Sequence, residues 1–115
     1  MKKFLLLTIM LLCSYAVFAQ SPPPHGVDLS WNPSVDATAG LGYNVYRTQV
    51  AGSGYVKLNL APIIGLTFAD NNVSVGQSYF YIARSSLNSL ESVNSNEVKA
   101  VILPGAPTLQ VPSVR

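Results

Sequence analysis

The chain has 115 residues, a formal charge of +2 and 49% hydrophobic side chains, with one Cys, one Trp and one His. Setting aside the first 19 residues leaves 96, with five basic against five acidic side chains, so no basic footprint for nucleic acid or for an anionic membrane surface remains. Cys13 goes with those residues, which removes disulfides and thiolate metal sites, and the rest makes one domain with a modest core, small for an enzyme with a deep pocket.

The opening segment is built as a secretory signal peptide. Lys2 and Lys3 supply the charge, Phe4 to Leu12 the apolar run, and Val17-Phe18-Ala19 a small-residue cleavage site before Gln20. Leu11 and Leu12 stand before Cys13, where lipidation requires a small residue, and the apolar run is short for a retained anchor. The expectation is export with cleavage after Ala19, to the periplasm, the cell surface or the medium. No later apolar run approaches the roughly 20 residues that span a bilayer, so the mature chain holds no membrane span.

Residues 20–25 form a Pro-rich lead, in which Pro22, Pro23 and Pro24 cannot donate to a ladder. Beyond it, short alternating runs closed by turn residues predict strands. Val27, Leu29 and Trp31 alternate with Asp28, Ser30 and Asn32 until Pro33. Gly40 and Gly42 punctuate the turn before Tyr43 to Arg47, and Ala51 to Gly54 turns into Tyr55 to Leu58. Leu66 to Phe68, Tyr79 to Ala83 and Val98 to Ile102 complete about six strands, with a Ser/Asn-rich loop read over Ser85 to Ser92. Residues 104–115, with three prolines, read as a tail or linker. No window carries a helical apolar period, so the class is all-β.

Four stretches in order, Val27-Asp28-Leu29-Ser30-Trp31-Asn32-Pro33, Gly42 to Arg47, Gly76-Gln77-Ser78-Tyr79-Phe80-Tyr81 and Ser95-Asn96-Glu97-Val98, resemble a fibronectin type III domain of the bacterial secreted kind over residues 26–103. The resemblance implies an immunoglobulin-like two-sheet sandwich of six to seven strands. It places Trp31, Tyr43, Val45, Tyr79 and Tyr81 in the core, with Tyr79 at the tyrosine-corner position. Three departures stand out. Strand A is short or missing, since Ser21 to His25 occupy its place. Val73 and Val75 replace the usual Leu and Pro, and Arg47 sits where a core aromatic is common. The open edge could stay blunted by proline, be filled by Thr108 to Val111, or pair with a partner's strand.

The residues for chemistry are sparse. His25, Asp28 and Ser30 do not make a triad, because Asp28 and Ser30 share a solvent-facing strand side with no oxyanion hole nearby. Asp70-Asn71-Asn72 is the best oxygen-ligand cluster, and it is equally ordinary turn chemistry. Glu91 and Glu97 are too far apart to argue as an acid/base pair. No catalytic residue, metal or cofactor is therefore expected.

One surface stands out. Strand alternation sends Phe80 and Ile82 away from the core, and the fold the resemblance implies brings Tyr46 beside them. That patch suits contact with an extracellular protein or polysaccharide, unless Arg84 and Lys99 cover it. The expected role is a secreted, non-catalytic spacer, adhesion or interaction module. Two alternatives are a fragment of a larger multi-domain extracellular enzyme or surface protein, and a carbohydrate-binding module using the aromatic face. The tail even resembles the first strand of a following module.

Overall fold

Tyr43, Val45, Tyr79 and Tyr81, each two residues from the next along its strand, are all buried in the computed structural model, which describes residues 25–115. The expected signal peptide at 1–19 and residues 20–24 of the Pro-rich lead lie outside the described residues. The described strands are β1 (Val27–Ser30), β2 (Gly42–Thr48), β3 (Val56–Lys57), β4 (Thr67–Asp70), β5 (Ser78–Leu87), β6 (Leu90–Glu91) and β7 (Val98–Val101). All pairings are antiparallel.

β1 and β4 form one small sheet, and β3, β2 and β5 run side by side in the other. β6 and β7 share the far edge of β5, β6 at its Ser86–Leu87 end and β7 at its Ser78–Tyr81 end. The sheets close on a core of Val45, Tyr79, Tyr81 and Ile102, with Val27, Leu29, Trp31 and Phe68 packed against it from the small sheet's side. Val45 and Tyr81 are each only 1% exposed. Each such side chain contributes roughly 1.5–3 kcal/mol through burial. The all-β class expected from the alternation, and the sandwich that the resemblance implies, are the observed architecture.

Two devices hold the crossings. The Tyr79 hydroxyl accepts a hydrogen bond from the Ser74 amide at 2.9 Å, five residues upstream, which is tyrosine-corner geometry. Buried Asn59 accepts from the Val45 amide at 2.8 Å and donates to Ala61 O at 2.9 Å, pinning the β3–β4 connection against β2.

The reading of Ser85 to Ser92 as a loop is corrected. β5 runs on to Leu87, and Asn88 and Ser89, both at positive φ (52° and 68°), turn the chain directly into β6. Between β6 and β7 the ladder bulges, and serine hydroxyls stand in for carbonyls. Ser92 Oγ accepts from the Ser85 amide at 3.0 Å and Ser95 Oγ from the Ala83 amide at 2.8 Å. Before β1 no strand is formed among the described residues, and 104–115 carry no strand and are exposed throughout. Thr108 to Val111 therefore do not fill the edge of their own domain.

Candidate functional site

Tyr46 lies opposite Ile82 and Thr48 opposite Phe80, so Tyr46, Phe80 and Ile82 share the outer face of the larger sheet. Tyr46 and Phe80 are half-buried there. Ile82 is corrected as a surface residue: it is only 3% exposed. Alternation fixes the face a side chain takes, not its exposure, and a short aliphatic in the central strand sits below the longer Tyr46, Phe80 and Arg84 on the same face.

Cations cover both rings. The Arg84 guanidinium carbon lies 4.7 Å from the Tyr46 ring centroid, and Lys99 Nζ, on the residue paired with Phe80 in β7, lies 5.7 Å from the Phe80 centroid. At such range a cation is attracted to the ring face. A partner stacking on either ring must displace a charge already there.

Glu91 of β6 ties this face together. Its Oε2 accepts from the Tyr46 hydroxyl at 2.5 Å and from Asn44 Nδ2 at 2.6 Å, while its Oε1 accepts from Arg84 Nη1 at 3.1 Å. Arg84 Nε also donates to Asn94 Oδ1 at 2.7 Å. Nearby, Glu97 accepts from the Tyr55 hydroxyl and, at 2.9 Å, from the Gly52 amide. The tight hydroxyl bond from Tyr46, then the Asn44 amide and Arg84, hold the Glu91 carboxyl below the usual glutamate range. Burial first, then Glu91, push the Tyr46 phenol up.

A carboxyl with a lowered folded value contributes fully above its unfolded pKa, and that contribution is lost as pH falls through the folded value. The outer clasp is thus expected to hold at neutral pH and to open only in acid. A side-chain NMR titration should place the Glu91 midpoint below that of an unstructured glutamate, and Tyr46→Phe should move it up. An unchanged midpoint in Tyr46→Phe would rule out the hydroxyl as the cause.

A second polar group lies between the sheets. Arg47 Nη1 donates to Asp70 Oδ2 at 2.9 Å, to Oδ1 at 3.2 Å and to Asn72 O at 2.8 Å, with its guanidinium carbon 5.1 Å from the Tyr79 centroid. The Tyr81 hydroxyl donates to Asp70 Oδ2 at 2.7 Å. Burial first, then Asp70, push that phenol far above the usual tyrosine range, so it stays a donor. Asp70 Oδ1 also accepts from the Asn72 amide at 3.2 Å, which closes an Asx turn. Asp70 is thus a structural anion, and Arg47 replaces the expected core aromatic with an ion pair that bridges β2 and β4.

Asp28 and Ser30 are exposed along β1, and among the described residues no group of three His, Cys, Asp or Glu is placed to hold a metal. No helix among them is long and apolar enough to cross a membrane. Asn44, Arg84 and Glu91 were not foreseen as one cluster. The signal for it was Glu91 standing two residues past an Asn-Ser turn, where a hairpin would return it to β5.

No model of a known protein family matches the chain. Over 81 residues, 70% of its length, it is 40% identical to the amylopullulanase of Thermoanaerobacterium saccharolyticum and 40% identical to that of Thermoanaerobacterium thermosulfurigenes. It is 30% identical over 87 residues to the amylopullulanase of Thermoanaerobacter thermohydrosulfuricus. The chain spans only 6%, 4% and 6% of these relatives' lengths. Among solved structures, an Fn3-like protein from Clostridium thermocellum matches with a TM-score of 0.56 and 27% identity, over 72% of this chain and 81% of that one. A β-1,2-glucanase from Parabacteroides distasonis matches in fold, with a TM-score of 0.57 and 23% identity, over 70% of this chain and 11% of that one.

Proposed function

The chain is a fibronectin type III-like module related to a short region of amylopullulanases, and we propose that it serves as an exported, non-catalytic spacer in a bacterial polysaccharide-degrading system. The observation that carries this reading is the relation itself: 81 residues at 40% identity amount to 6% of an amylopullulanase. A region so small beside the whole enzyme suits an accessory role. The signal-like start at Lys2 to Ala19 supports export. The outer face supports a spacer over a sugar platform, because Arg84 and Lys99 already occupy the ring faces that a sugar would stack on.

The purified chain is expected to release no reducing sugar from pullulan or soluble starch. It should also stay in the supernatant when mixed with insoluble starch or cell-envelope fragments, and Phe80→Ser should behave identically. Sugar release would overturn the non-catalytic reading. Retention that Phe80→Ser abolishes would replace the spacer with a recognition module for a polysaccharide or envelope protein.

A further inference from the structure

The small sheet is asymmetric. β4 pairs with one edge of β1, and among the described residues nothing pairs with the other. The Trp31 amide donates to Leu66 O at 3.0 Å, so by alternation Val27 and Leu29 also face β4, while the amides and carbonyls of Asp28 and Ser30 point to the open side. Below that edge lies a groove of about 370 Å³, lined by Leu29, Trp31, Val45 and Tyr81 and, among polar residues, by Ser95 and Asn96. Trp31 Nε1 is shut off from solvent beside it with no hydrogen-bond partner, a costly state for a ring donor.

The same chain carries a segment suited to that edge. Thr108-Leu109-Gln110-Val111 alternates apolar with polar, offers four consecutive amides, and leaves Leu109 94% and Val111 93% exposed. The Pro22-Pro23-Pro24 run at the other end offers none. The tail is not paired to its own β1. From Leu103 to Thr108 four residues intervene, and the five Cα-to-Cα steps reach at most roughly 17 Å, enough to carry the segment clear of its own body.

We propose that Thr108–Val111 of a second copy of this chain adds to the open edge of β1 as an antiparallel strand. Leu109 and Val111 enter the groove, and the backbone meets Asp28 and Ser30. The contact is heterologous, tail to edge, so association extends head to tail instead of closing as a symmetric dimer. It uses a different surface from the outer aromatic face and is independent of the spacer reading.

Sedimentation velocity of the purified chain over a wide concentration range tests it, read beside Trp31 emission. The expected result is a sedimentation coefficient that rises with concentration, accompanied by a blue shift of the emission. A tail variant, Leu109→Asp with Val111→Asp, and an edge variant, Ser30→Pro, should each remain monomeric. Ser30→Pro removes an open-side amide without touching the β1–β4 ladder. Mixed together, the two variants should form a species of two chains and no larger, because the edge variant retains a tail and the tail variant retains an edge. The tail variant touches nothing in its own fold, so its result stands even if Ser30→Pro fails to fold. A monomer at every concentration would overturn the proposal, as would association that survives in the tail variant. Slow hydrogen exchange at Asp28 and Ser30 in the dilute monomer would also overturn it, by showing the edge covered within one chain.

Discussion

Asp70→Ala is expected to cost about 3 kcal/mol of folding stability, the low end of the range for removing one partner of a buried ion pair. Asp70 is 5% exposed and accepts from Arg47, from the Tyr81 hydroxyl and from the Asn72 amide. Its loss leaves a phenol unpaired in a site where Tyr81 is 1% exposed, and leaves the guanidinium without a counter-charge. The cost stays near the lower bound because the Arg47 side chain keeps 22% exposure and its bond to Asn72 O. A domain of this size is stabilised by only about 5–15 kcal/mol, so the loss is a large share of the total. Urea unfolding measures it. A cycle with Tyr81→Phe adds the discriminating result: removing the hydroxyl should cost less in the Asp70→Ala background than in the wild type. Equal costs in both backgrounds would mean that the two groups do not act together.

Gly42→Val is expected to destabilise by about 2–3 kcal/mol through overpacking. A Cβ at Gly42 would lie 2.6 Å from the Pro62 Cβ and 3.3 Å from the Ile63 carbonyl oxygen. Neither neighbour can withdraw easily. Ile63 exchanges both backbone hydrogen bonds with Tyr43, at 2.9 and 2.8 Å, and Pro62 is a rigid ring next to it. β2 is held in turn by its full-length pairing with β5. Gly65→Ala is the control. A Cβ there meets nothing within 4 Å, and its backbone is not in the left-handed region. It should be neutral, or stabilise by about 0.4–1 kcal/mol by restricting the unfolded chain. Thermal unfolding of the pair separates a steric requirement from a general preference for glycine in loops; similar losses in both variants would refute the steric account.

What could be read from residue order follows from what each element is made of. Val27 and Leu29 of β1, Tyr43 and Val45 of β2 and Tyr79, Tyr81 and Ala83 of β5 are apolar at alternate positions, and burial of one face favours that pattern, so the strands and the facing of Val45 and Tyr81 were legible. The Ser85–Leu87 extension and β6 were not. Their pairing rests on backbone groups and on the hydroxyls of Ser92 and Ser95, which leave no hydrophobic signature. Arg47, Asp70 and Tyr81 lie 23 and 11 residues apart, and nothing local links them.

The outer face divides along the same line. Alternation assigned Phe80 and Ile82 to one side, because successive side chains of a strand point to opposite faces, and the fold that the resemblance implies brought Tyr46 beside them. Whether they are available was a tertiary matter. It depended on which long side chains the neighbouring strands bring across, and Arg84, Lys99 and Glu91 arrive from register and from the β5–β6 hairpin. The sequence by itself determined the alternating strands β1, β2 and β5, the inward set and the signal-like start, each a property of neighbours along the chain. Only the tertiary structure decided the ion pair across the sheets, the covered aromatic rings and that Thr108 to Val111 leave the edge of β1 unfilled, since charge pairing and exposure depend on distances between residues that the chain order keeps apart.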